Sequence, residues 1–112
     1  MKETLENALG VKIRYGKMDE SKGAVIYKEK DKVIRSKHAY DWENILPVAG
    51  EIVARQLGIV KENETVTEAQ RNVFTNWMLE GKLDGSTETK AFETAMKNPL
   101  NAAVYTPKNI LS

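Results

Sequence analysis

One histidine and no cysteine set the limits on chemistry in this chain. His38 has the only side chain whose ordinary pKa lies near neutrality, and Asp41 three residues later offers a carboxylate for a His–Asp proton-transfer pair. With no second histidine and no thiol, His38 has no companions for a metal site, and disulfides, thiolate catalysis and Cys-based zinc or iron–sulfur sites are excluded. Ser21, Ser36, Ser86 and Ser112 lie in no nucleophile-elbow pattern. Gly10, Gly16, Gly23, Gly50, Gly58, Gly81 and Gly85 are scattered, so neither a phosphate loop nor a dinucleotide loop is supported. Glu64/Glu68 and Asp84/Glu88 have helical spacing, but each pair opens a helix, where acids satisfy free amides and the helix dipole. These residues predict a protein without catalysis, cofactor or metal.

Charge is distributed more informatively. Residues 1–40 carry ten Lys/Arg against six acids (10 − 6 = +4), and residues 41–112 carry seven against ten (7 − 10 = −3), which leaves the net +1 of the whole chain. The candidate contacts to an anionic partner are Lys12, Arg14, Lys17, Lys22, Lys28, Lys30, Lys32, Arg35 and Lys37, since phosphate contacts need several long cationic groups on one surface. Asp19, Glu20, Glu29 and Asp31 interrupt this set, and lysines also protect the edges of small sheets from pairing. Both roles are served only if the elements beneath point the cations outward.

Those elements follow from periodicity. Residues 2–9 space Leu5, Ala8 and Leu9 as one helical face, with Gly10 as a stop. From residue 11 the period becomes two: Val11, Ile13 and Tyr15 alternate with Lys12 and Arg14. Residues 23–28 form a second β-rich run, 17–22 read as the hairpin connection, 30–32 as a second turn, and 33–35 as a short third strand. Alternation puts Tyr15 and Tyr27 inside with Ile13 and Val25. The expected fold is α+β: a small N-terminal antiparallel β meander packed against a three-helix bundle.

Asn44 is the predicted cap of the first bundle helix, with Pro47 in its first turn and Gly58 as a left-handed terminator followed by Ile59. Thr67-Glu68-Ala69-Gln70 is a capping-box pattern opening a helix that ends near Gly81. Asp84-Gly85 is a turn, Ser86 or Thr87 caps a third helix, and Asn98-Pro99 ends it. Residues 101–107 read as a short edge strand or a cover over the core, with a turn-like exit at 106–109. The expected organisation is a single domain over 1–112, with a basic β-rich part at 10–37, a helical part at 41–98 and a short tail at 99–112.

A basic hairpin beside helices 67–80 and 87–97 is similar to the parts of a winged-helix domain. The hairpin here precedes the helices, and the third helix sets Lys90 and Lys97 against Glu88 and Glu93, which suits a recognition helix poorly. The expected function is a non-catalytic accessory or regulatory protein that holds DNA or RNA on its β face. The alternative is an adaptor or inhibitor that binds a protein, including an acidic one, through apolar and aromatic helix residues centred on Trp42. Trp77 reads as a core anchor, and a homodimer that doubles the basic surface is a further expectation. The first residues lack the apolar stretch of a secretory signal, and no run approaches the ~18 apolar residues of a membrane span. A cytoplasmic protein with no membrane partner is expected.

Overall fold

A computed structural model of the chain describes residues 2–17 and 23–105. The elements run α1 (Lys2–Leu9), β1 (Lys12–Tyr15), β2 (Val25–Lys28), β3 (Val33–Ser36), α2 (Trp42–Gln56), α3 (Glu68–Glu80), α4 (Thr87–Met96) and α5 (Pro99–Val104). The architecture is α+β, a three-stranded N-terminal mixed sheet packed against the helices that follow it. No helix among the described residues is long and apolar enough to cross a membrane.

The strand order corrects the expected meander. β3 lies between the other two strands, parallel to β1 and antiparallel to β2, so β1 and β2 never touch as a hairpin. The hairpin is β2–β3, closed one turn later than expected by residues 29–32, where the Lys32 N–H donates to the Glu29 carbonyl at 3.3 Å. The short turn closes at lower entropic cost than the longer 17–22 connection, which favours this local pairing. β1 is then left the far side of β3, and the long 16–32 segment supplies the crossover that a parallel pair needs. Of the 17–22 connection, residues 18–22 lie outside the described residues, as does the turn expected at 106–109.

Helix ends follow the sequence closely where side chains cap them. Thr67 and Gln70 form the reciprocal capping box of α3, Ser86 caps α4 through the Thr89 amide, and Gly58 (φ 76°) closes α2 with Ile59 N–H donating to the Ala54 carbonyl. Asn44 does not cap α2. Asp41 holds that position, and the Asn44 amide donates to both Asp41 carboxylate oxygens at 3.0 and 2.9 Å. Pro47 therefore sits inside the helix, leaving the carbonyl of the exposed Glu43 to water. The tail segment is not a strand either: Asn98 caps α5 with Pro99 in its first turn, so five described helices replace the expected three and the short N-terminal one.

The main core joins Leu5 and Leu9 of α1, Ile13 and Ile34 of the sheet, Ile45, Leu46, Ala49 and Val53 of α2, Phe74 and Met78 of α3, and Phe92 of α4. The α2–α3 pair is the most extensive helix contact, and Gly50 of α2 lies directly against α3. A Cβ built on Gly50 would lie 2.5 Å from the Arg71 carbonyl oxygen and 3.2 Å from Phe74 Cβ. Trp77 is half-buried, packs edge-on to Phe92 with ring centroids 6.3 Å apart, and donates its indole N–H to the Tyr105 carbonyl at 3.2 Å. Tyr105 in turn donates its hydroxyl to Gln56, whose amide donates to the Leu9 carbonyl at 2.7 Å, tying the end of α5 through α2 to α1.

Two predictions follow from these contacts. Gly50→Ala gains ~1 kcal/mol of helix propensity but must part α2 from α3 against backbone, so urea unfolding should show a net loss of about 1–3 kcal/mol. At the start of α4, the Asp84 carboxylate accepts from the Ser86 amide at 2.9 Å and from the Thr89 hydroxyl. Hydrogen bonding by the Ser86 side chain first, then by the Thr89 hydroxyl and the Ser86 amide, lowers its pKa from 3.8 to about 2. The folded form therefore binds this proton more weakly than the unfolded chain. The contribution is full above the unfolded value and lost as pH falls through the folded one. Comparing unfolding at pH 5 and pH 2, Asp84→Asn should lose less stability on acidification than the parent.

Candidate nucleic-acid interface

In a sheet, residues paired across strands share a face, so the register decides where the cations stand. Lys12 pairs with Val33 and Val33 with Lys28, while Arg14 pairs with Arg35 and Arg35 with Ile26. These two rows face away from the core. The intervening residues Ile13, Ile34, Tyr27, Tyr15, Ser36 and Val25 form the opposite face, where Ile13, Ile34 and Ser36 are buried and Tyr15, Val25 and Tyr27 pack against the core cluster. Lys12, Arg14 and Lys28 are exposed and Arg35 is half-buried. The rows are ~6.6 Å apart along the strands, and the outer strands are ~9.6 Å apart across β3.

Four further candidates flank the rows at the strand ends. Lys30 and Lys32 lie in the exposed 29–32 turn beyond the Lys12–Lys28 row, together with Glu29 and Asp31. Lys17 and Lys37 lie just past the ends of β1 and β3, beyond the Arg14–Arg35 row. Lys22 lies outside the described residues. A Cβ on Gly16 would sit 3.9 Å from Arg35 Nη2, so the guanidinium lies across the exit of β1. Among the described residues the only ion pair reaching this set is Arg14–Glu6, at 3.7 Å, and Arg14 stays largely exposed.

Glu6 has a second task that the sequence did not reveal. Its carboxylate, 12% exposed, accepts the Ile13 N–H at 2.8 Å and so occupies the outer edge of β1 with a charge. A free edge amide is a template for pairing with another chain, and a buried carboxylate blocks it.

At the same edge stands an aromatic corner. Lys2 Nζ lies 5.4 Å from the centroid of the Tyr15 ring, and the Tyr40 ring packs beside Tyr15 with centroids 6.2 Å apart. Burial raises the Tyr15 pKa; the Tyr40 backbone opposes this, but no partner lies within hydrogen-bonding geometry of the buried Tyr15 hydroxyl among the described residues. Tyr40 itself is 76% exposed and has φ 62°. A left-handed backbone at a bulky residue costs on the order of 1 kcal/mol. Sequence periodicity passes over Tyr40 because it falls in the joint between β3 and α2, where neither period applies.

The other candidates for chemistry are dispersed. His38 is exposed and its carbonyl accepts from the buried Ser36 hydroxyl at 2.7 Å, while the Asp41 carboxylate is taken by Asn44. No group of three or more potential metal ligands occurs among the described residues. Trp42 is half-buried at the start of α2 and packs against the core cluster, leaving part of its ring accessible. No family model matches the chain, and neither a curated protein nor a solved structure matches it.

Removing the edge block tests its role. Glu6→Ala strands a half-buried amide and should cost about 1–3 kcal/mol, with self-association in sedimentation at raised concentration. Glu6→Gln keeps an acceptor oxygen and should stay monodisperse under conditions where Glu6→Ala associates.

Proposed function

We propose that this protein is a non-catalytic accessory or regulatory protein that holds nucleic acid by its phosphates on the outer face of the sheet. One observation carries the reading: the register stacks Lys12–Lys28 and Arg14–Arg35 as two successive cationic rows on the side away from the core. Flexible cations on a rigid sheet hold successive phosphates without reading bases, and the interaction weakens steeply with salt.

The mixed topology changes how such a surface is used. A two-stranded ribbon fits a major groove ~12 Å wide. A three-stranded sheet spans ~9.6 Å between its outer strand axes, about twice the width of a ribbon, and presents its cations as a broad face to a backbone. The winged-helix comparison therefore retains only a basic β element beside α3 and α4, with the sheet rather than α4 as the holding surface. A cytoplasmic setting, a single-domain organisation and a homodimer that doubles the face belong to the same proposal.

A second reading has its own observation. On α5, Leu100 is 77% and Val104 38% exposed, four residues apart on one side. An adaptor or inhibitor would use this apolar side, with the accessible part of Trp42 as another contact.

Titrating binding to single- and double-stranded oligonucleotides against salt separates the two. Charge removal at Lys12 and Arg14 together should weaken binding and flatten the slope of log K against log salt by about 1.4–1.8. Equal slopes in variant and parent, or no binding at low salt, would reject the phosphate track and leave the apolar side as the surface to pursue.

A further inference from the structure

We infer that a second copy of this chain pairs with the outer edge of β2, antiparallel and about a two-fold axis at Ile26, so that two three-stranded sheets join into one. The inference rests on the homodimer of the proposed function and says where its interface lies. Its formation does not need nucleic acid.

The two edges of the sheet are unlike. On β1 the outward amide of Ile13 is taken by the Glu6 carboxylate at 2.8 Å. On β2 the ladder itself shows which groups turn outward. The Lys37 N–H donates to the Ala24 carbonyl at 2.9 Å, and in the same register Ile26 and Lys28 direct their backbone polar groups to β3. Val25 and Tyr27 therefore direct theirs away from the sheet, where no strand receives them among the described residues. Such an open edge is a template for another strand. One closed and one open edge per chain also set the size of the assembly: two copies use up both open edges, and growth stops there.

The open edge is complementary to itself. With Ile26 on the axis, Val25 pairs with the partner's Tyr27 and Tyr27 with the partner's Val25, each pair exchanging both its backbone hydrogen bonds. On the core face these are aromatic–β-branched pairs, and on the outer face the half-buried Ile26 meets the partner's Ile26. Lys28 then stands opposite the partner's Ala24, so like charges never face each other. The groove along this edge, between β2 and α2, carries Glu29, Glu51 and Glu62 with Arg55 and Arg71. Both signs are what a surface needs when its complement is its own copy. The pairing sets the Arg14–Arg35 rows of both copies, joined through Ile26, on one outer face about 24 Å across its strands.

The chain has no cysteine, so single introduced cysteines report the register directly. On mild oxidation Ile26→Cys should form an intermolecular disulfide, because the axis brings the two Cβ atoms within bonding reach. Lys28→Cys and Arg14→Cys at the same concentration should stay monomeric on a non-reducing gel. In sedimentation without nucleic acid the parent should be a dimer. Val25→Pro removes an outward N–H and none that β3 uses, and should weaken the dimer roughly 5- to 150-fold. Ile26→Lys sets two ammonium groups opposite each other and should weaken it as well, with a circular dichroism spectrum like the parent's. Charge removal at Lys12 and Arg14 should leave the dimer intact, so loss of oligonucleotide binding with an intact dimer touches the phosphate track alone. A monomeric parent, an open-ended polymer, a dimer indifferent to Ile26→Lys, or a Lys28→Cys disulfide as ready as that of Ile26→Cys overturns the inference.

Discussion

The pairing of β3 on both its edges is the constraint on which the rest depends. Its central position fixes β1 parallel on one side and β2 antiparallel on the other, and its register aligns Ile34 with Ile13 and Tyr27 on the core face. Side chains alternate along a strand, so a slip of one residue would bury Arg35 and expose Ile34. The burial of Ile34 and Ile13 thus holds the cationic rows outward. The cationic face is a consequence of the core, with no separate element built to display it.

The edges of so small a sheet need the same care. On the β1 side α1 contributes twice, with Leu5 and Leu9 in the core and Glu6 capping the Ile13 amide. The same carboxylate lies 3.7 Å from Arg14, so one acid steadies both the edge and a cation of the face. A residue that looks like ordinary solvation in the sequence therefore links the short N-terminal helix to the proposed function. At the far end of the strands, the joint into α2 fixes Tyr40 in a backbone conformation that the ring alone would not choose.

The helices supply the mass against which the sheet is held. α2 lies between the sheet and α3, and the absence of a side chain at Gly50 lets the two helices approach. The Tyr105–Gln56–Leu9 chain of hydrogen bonds then joins both ends of the described fold through α2. Such long-range ties have no local signal, and Gly50 looks from sequence like one more scattered glycine. Its position opposite the Arg71 carbonyl exists only once the helices cross.

The sequence by itself determined the α+β class, the three strand segments, the helices up to α4 and the end signals at Gly58, Thr67 and Ser86, because each of these arises from residues within a few positions of one another. It also determined that the cations alternate with apolar residues in β1 and β3. The tertiary structure decided which strands pair, since the choice between a hairpin at 17–22 and one at 29–32 is settled by loop closure and by competition for the central place in the sheet. It likewise moved the start of α2 to Asp41, turned the tail into α5, and brought Glu6 to the edge of β1 and Tyr40 against Tyr15. Local chemistry is written along the chain; which distant groups become neighbours is set by how the apolar faces are jointly buried.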